Sequence, residues 1–139
     1  MKWLLDTVTL SATRRPDRAE PSVVRWLERQ NPFSLYLSAI TVFEIELGTA
    51  RKEHTDPQQG ADLRRWVDDV YSVFSDRILP VDHEVAGVAA GYHVPDPRPE
   101  RDALIAATAE VGKLSVVTRN VRDFEPFGVP LFDPWSIGR

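Results

Sequence analysis

The chain has 139 residues, 42% of them hydrophobic, and a formal net charge of −4 from 17 basic and 21 acidic side chains. This is the make-up of one globular domain, residues 1–139, with room for a real core. It contains no cysteine, which excludes a disulfide framework, a thiolate metal site and a cysteine nucleophile.

The opening MKWLLDTVTL reaches Asp6 too soon for a signal peptide, and no apolar run is long enough to span a bilayer, so a cytoplasmic protein without membrane contact is expected. Lys2–Asp6 reads as a buried strand. A first helical region follows, with Val23, Trp26 and Leu27 on one face. Phe33–Ser38 is a second apolar strand, and the helical pattern in SAITVFEIELG comes after it. Arg51–Gly60, polar and holding an Asp-Pro pair and a glycine, is expected to be a loop. Leu63, Trp66, Val67, Val70, Val73 and Phe74 then share one helical face. RILPVD (Arg77–Asp82) holds a short third strand, and Val85, Val88, Ala89 and Tyr92 mark another helix. His93–Pro99 is a proline-rich loop, and PERDALIAATAEVG (Pro99–Gly112) an alanine-rich helix. Leu114–Thr118 and Val129–Asp133 complete five strands. Near-continuously apolar strands separated by helices predict a parallel sheet covered on both faces, a three-layer α/β/α sandwich.

In such a sheet ligands bind beyond the carboxyl ends of the strands, and polar groups gather there. Asp6 ends the first strand, Glu44 lies about a helical turn after the second, Asp102 heads the alanine-rich helix, and Asn120 and Asp123 follow the fourth strand. Local explanations exist for most of them. Thr41 to Glu44 fits a capping box, Asn120 to Asp123 a looser one, and Asp102 is a favourable charge at a helix N-terminus. Asp6 is harder to account for. A carboxylate ending a buried strand must be paired, hydrated or bound to metal, and the sequence offers it no obvious local cation, although Arg14 and Arg15 are near in the chain. If these acids converge they repel one another unless a cation lies between them. An oxygen-ligated Mg²⁺ or Mn²⁺ is the economical resolution.

The segments LLDT, LSAITVFEIELG, DRILPVD, DALIAATA, VVTRNVRDF and VPLFDPW run in this order over almost the whole chain. In this series the sequence resembles the PIN-domain nucleases, and among them the VapC/FitB-like toxins of bacterial toxin–antitoxin pairs. The resemblance implies metal-dependent hydrolysis of RNA phosphodiesters, leaving a 5′-phosphate. By position, Asp6, Glu44 and Asp102 match the three core acids, and Thr118 a hydroxyl-bearing position near the metal. The chain departs from the pattern at two places. Asn120 stands at the fourth acidic position, so that either Asp123 substitutes or a second metal site is weak. Val8 stands where a polar residue usually follows Asp-Thr.

The resemblance gives Asp6 and Asp102 the metal, and Glu44 a second ion or the orientation of the attacking water. Asn120 and Thr118 would hold outer-shell water. For the RNA, Arg14, Arg15 and Arg119 are the expected phosphate contacts, because arginine forks suit phosphate oxygens. Arg25 and Arg29 read as a solvated helix face, Trp26 and Trp66 as packing, and His54, His83 and His93 show no ligand spacing. A cognate antitoxin and a homodimer are the expected protein partners. Two other readings stay open at this point: a PIN-fold module that binds without cutting, favoured by Asn120 and Val8, and another Mg²⁺-dependent α/β phosphoryl hydrolase.

Overall fold

Five strands, all parallel, organise the protein, whose computed structural model describes residues 1–136. They are β1 (Trp3–Leu5), β2 (Leu35–Ser38), β3 (Ile78–Leu79), β4 (Ser115–Val117) and β5 (Leu131–Phe132), arranged in the order β3-β2-β1-β4-β5. The helices are α1 (Thr7–Ser11), α2 (Pro21–Arg29), α3 (Ala39–Thr55), α4 (Pro57–Val73), α5 (His83–Tyr92), α6 (Glu100–Gly112) and α7 (Val121–Phe124). Every expected strand is present, and each is shorter than its apolar run. Pro32–Ser34 is spent on a 3-10 turn led by Asn31. Pro80, which has no N–H to give a ladder, follows β3.

Strand pleating sends successive side chains to opposite faces, and two cores result. Leu4 and Val116 pack with Ala103, Ile105, Ala106 and Ala109 of α6. Leu5, Leu37 and Val117 pack on the other side with Val67, Val70 and Phe74. Trp3, Trp26 and Phe132 form a ring cluster at 5.1–5.4 Å between centroids, and Trp66 packs against the same core. The two tryptophans are therefore packing residues, and the architecture is the α/β/α sandwich expected. No helix among the described residues is long and apolar enough to cross a membrane.

Two local expectations are corrected. The stretch Arg51–Gly60 is not a loop: α3 runs through Thr55, α4 begins at Pro57, and Asp56 alone separates them. Asp56 ends one helix by donating its N–H to Lys52 O at 2.7 Å, and starts the next by accepting from Gln59 N at 3.3 Å. Gly60, read as a turn residue, is a contact residue instead, because a Cβ there would fall 2.4 Å from Glu53 Cα. Nor does Thr41 cap a helix. Ser38, the last residue of β2, takes that role, its Oγ accepting from Ile40 N at 3.0 Å. Thr41 is buried in the first turn of α3, and Glu44 is left free of capping. The segment His93–Pro99 stays irregular, as expected.

Candidate active site

Each acid is delivered by the end of an element. Asp6 follows β1 directly and is the N-cap of α1, its Oδ1 accepting from Thr9 N at 2.8 Å. Thr9 Oγ1 lies 2.7 Å from the same oxygen and 2.9 Å from Val117 O. The buried carboxylate thus has a local partner that is neither Arg14 nor Arg15, and the cap engages one of its two oxygens. Glu44 lies in the second turn of α3, where its Oε1 accepts from Thr7 Oγ1 at 2.7 Å. Asp102 sits in the first turn of α6 and is half-buried. Asn120 caps α7 by position, yet its side chain makes no cap bond; the reciprocal box with Asp123 is not formed, and the Asp123 N–H donates instead to Asn120 O at 3.0 Å.

These residues meet. Asp6, Glu44, Asp102, Asn120 and Asp123 line one cavity of about 200 Å³, walled also by Thr7, Val8, Ile105 and Phe124. Thr118 does not line it. It is fully buried behind Asp6, its hydroxyl accepting from Asn120 N at 2.9 Å. Burial pushes the Asp6 carboxyl above its ordinary value, against hydrogen bonds from Thr9 and Thr118, and the Glu44 charge adds to the rise. Burial likewise raises Asp102, followed by repulsion from Asp123, Glu44 and Asp6. The acids feel one another, as carboxylates in one small space must.

The donor set suits a hard divalent ion, since every group on it is a carboxylate, amide or hydroxyl oxygen. Burial is the larger cause of the rise at both Asp6 and Asp102, with the neighbouring carboxylates adding to it. Among the described residues no three acids or histidines are gathered tightly enough to enclose one ion by themselves. Mg²⁺ asks for less: one or two carboxylates, with waters and substrate oxygens completing its shell.

The basic residues divide. Arg14 lines a groove of about 370 Å³ with Lys52 and Trp66, and this groove shares Thr7 and Glu44 with the acidic cavity. Arg15 lies farther along, in a shallow depression with Ser11 and Arg18. Arg119 is exposed beside Asn120 and lines none of these cavities. Sequence reasoning missed Lys52 and Arg101; the Arg101 Nη1 lies 3.7 Å from Glu44 Oε2. Only its place next to Asp102 could have drawn attention to it. An apolar cleft of about 390 Å³ between α2 and α4, lined by Leu27, Trp66, Val70 and Phe74, shares no residue with the acidic cavity.

Residues 3–127 match the family model described as PIN domain. The chain is 36% identical to Toxin FitB of Neisseria gonorrhoeae over 141 residues, which covers 95% of this chain and 97% of that protein. It is 31% identical to VapC ribonuclease Y4jK of Sinorhizobium fredii, covering 96% and 97%. A solved structure of FitAB bound to an IR36 DNA fragment superposes with a TM-score of 0.88 at 32% identity, over 99% of this chain and 98% of that one. With the family model matched along most of its length, and relatives aligned nearly end to end, this chain belongs to the PIN-domain family.

Proposed function

We propose that the protein is a metal-dependent endoribonuclease, the toxin of a toxin–antitoxin pair. The observation that carries this is the meeting of Asp6, Glu44, Asp102 and Asp123 in one cavity at the carboxyl ends of β1, β2 and β4. The relatives named Toxin FitB and VapC ribonuclease support it.

Asp6 and Asp102 would hold Mg²⁺ or Mn²⁺. Such an ion, when bound, polarises a phosphate oxygen and lowers the pKa of a water. Asp6 is fixed for this by its cap on α1, which leaves its second oxygen free of the Thr9 bonds. Glu44, steadied by Thr7, orients the attacking water or serves a second cation. Asn120 would offer the cavity a neutral amide oxygen and Asp123 a charge. Thr118 is a positioning residue that holds Asn120 N and the Asp6 carboxylate. Arg14, Arg15 and Arg119 are the proposed phosphate contacts, with Arg14 best placed because its groove shares Thr7 and Glu44 with the acidic cavity.

The partners follow from the same reading. An antitoxin would bring an apolar segment to the cleft between α2 and α4. A homodimer is proposed on the family resemblance. The test is cleavage of structured and single-stranded RNA with Mg²⁺, Mn²⁺ or EDTA, using wild type and Asp6→Asn. Cleavage is expected to require the metal and to be lost in the variant. Undiminished cutting in EDTA or by Asp6→Asn overturns the metal mechanism, and a protein that binds Mn²⁺ but cuts no RNA is a binding module.

A further inference from the structure

A positive side chain in the first turn of a helix opposes the helix dipole, and Arg101 stands there, one residue ahead of Asp102. Its Nη1 lies 3.7 Å from Glu44 Oε2, and its guanidinium stacks 4.9 Å from the centre of the Phe43 ring. Among the described residues this is the only ion pair made by any acid of the cavity. It is a loose one. The separation exceeds a hydrogen bond, the Arg101 side chain is 51% exposed, and pairs of this kind hold weakly. Phe43, itself exposed, offers the guanidinium a flat support whether or not Glu44 is engaged.

Glu44 Oε1 accepts from Thr7 Oγ1, so Oε2 is the oxygen without that hydrogen bond and the more open to a divalent ion, and it is the one Arg101 faces. Two cations do not share one oxygen without repulsion. A guanidinium released at the rim of this cavity has a natural acceptor in a phosphate, which its planar fork fits better than an ammonium does.

We propose that Arg101 is a substrate-contacting residue: a divalent ion displaces it from Glu44, and its fork then takes an oxygen of the RNA phosphate, with Phe43 as the support on which it turns. This inference rests on the metal-dependent ribonuclease reading above.

The test is Arg101→Gln, with two measurements beside activity. Mn²⁺ titrated by calorimetry is expected to bind roughly two- to fivefold tighter once the competing charge is gone. A short fluorescent single-stranded RNA of mixed sequence, titrated with Ca²⁺ in place of Mn²⁺, is expected to bind about tenfold more weakly. The salt slope of that binding should shrink by about one phosphate contact. Arg101→Lys keeps the charge without the fork, so it should leave Mn²⁺ affinity near wild type and still weaken RNA binding; it carries the test if the glutamine variant does not fold. Arg101→Gln with either affinity unchanged overturns the inference while the nuclease reading stands. A wild type that binds no Mn²⁺ overturns both.

Discussion

Asp102 accepts no side-chain hydrogen bond among the described residues, while burial and the charges of Asp123, Glu44 and Asp6 lift its carboxyl above the ordinary value of 3.8. The folded chain therefore holds this proton more tightly than the unfolded chain does. By linkage, stability declines as pH rises from the unfolded value through the raised folded one, and the loss is complete above it. In EDTA at neutral pH, Asp102→Asn is expected to melt higher than wild type, because it removes a repelled charge. The gap should close as the pH is lowered through the folded pKa toward the unfolded value. Thermal melts across a pH series measure this, and a gap that widens on acidification contradicts it. Excess Mn²⁺ should reverse the order, since an ion that binds only the native state stabilises it by about 2.7 kcal/mol at a hundredfold its Kd. That gain should appear in wild type and not in Asp102→Asn.

The helical hairpin of α3 and α4 is built on a missing side chain. A Cβ on Gly60 would sit 2.4 Å from Glu53 Cα and 2.6 Å from its nitrogen, a contact with backbone that cannot turn aside. The hairpin is also cross-linked at the surface, by Arg64 to Glu46 at 2.6 Å and to Glu53 at 3.0 Å, and by the Tyr71 hydroxyl to Glu46. Gly60→Ala tests which effect wins. Helix propensity alone favours alanine by about 1 kcal/mol, whereas forcing the helices apart costs about 1–3 kcal/mol. Net destabilisation in a denaturant titration is expected, and a more stable variant would show that the two helices have room. The same hairpin shows why part of the fold was not legible. Arg51 to Gly60 carries Asp-Pro and glycine, all turn signals, yet the break is confined to Asp56: Pro57 opens α4, and Gly60 lies inside that helix against Glu53. Thr41 to Glu44 satisfied the capping pattern in letters, but the cap belongs to Ser38, because that is where β2 ends. Apolar runs and helical periodicity, which depend on near neighbours, did locate all five strands and the amphipathic helices. At the site, the Asp6–Thr9 cap is three residues long and could have been read. The Glu44–Arg101 contact spans two elements and could not.

The order β3-β2-β1-β4-β5 puts β1 in the middle, with β2 and β4 on either side. The chain reverses its direction of winding between β1 and β4, and open α/β sheets form their crevice at such a point. Asp6 is therefore central, with Glu44 arriving from the β2 side and Asn120 and Asp123 from the β4 side. Asp102 comes from elsewhere, at the head of α6, and its position depends on how that whole helix lies. The helix is apolar on most sides because it is packed against the sheet through Ala103, Ile105, Ala106 and Ala109, and against α5 through Ala107. Small side chains let it approach closely, and close packing makes it a rigid mount for one carboxylate. Ala106, fully buried, lies one turn beyond Asp102 and has no part in the acidic cavity. Ala106→Leu should cost about 1–3 kcal/mol through overpacking, and the helix should yield by shifting. If α6 is the mount, the variant will bind Mn²⁺ more weakly than wild type at a temperature where both are fully folded. A variant that melts lower but keeps wild-type Mn²⁺ affinity would mean that the strain is absorbed by α5 or the sheet, and that Asp102 is held by its immediate neighbours instead.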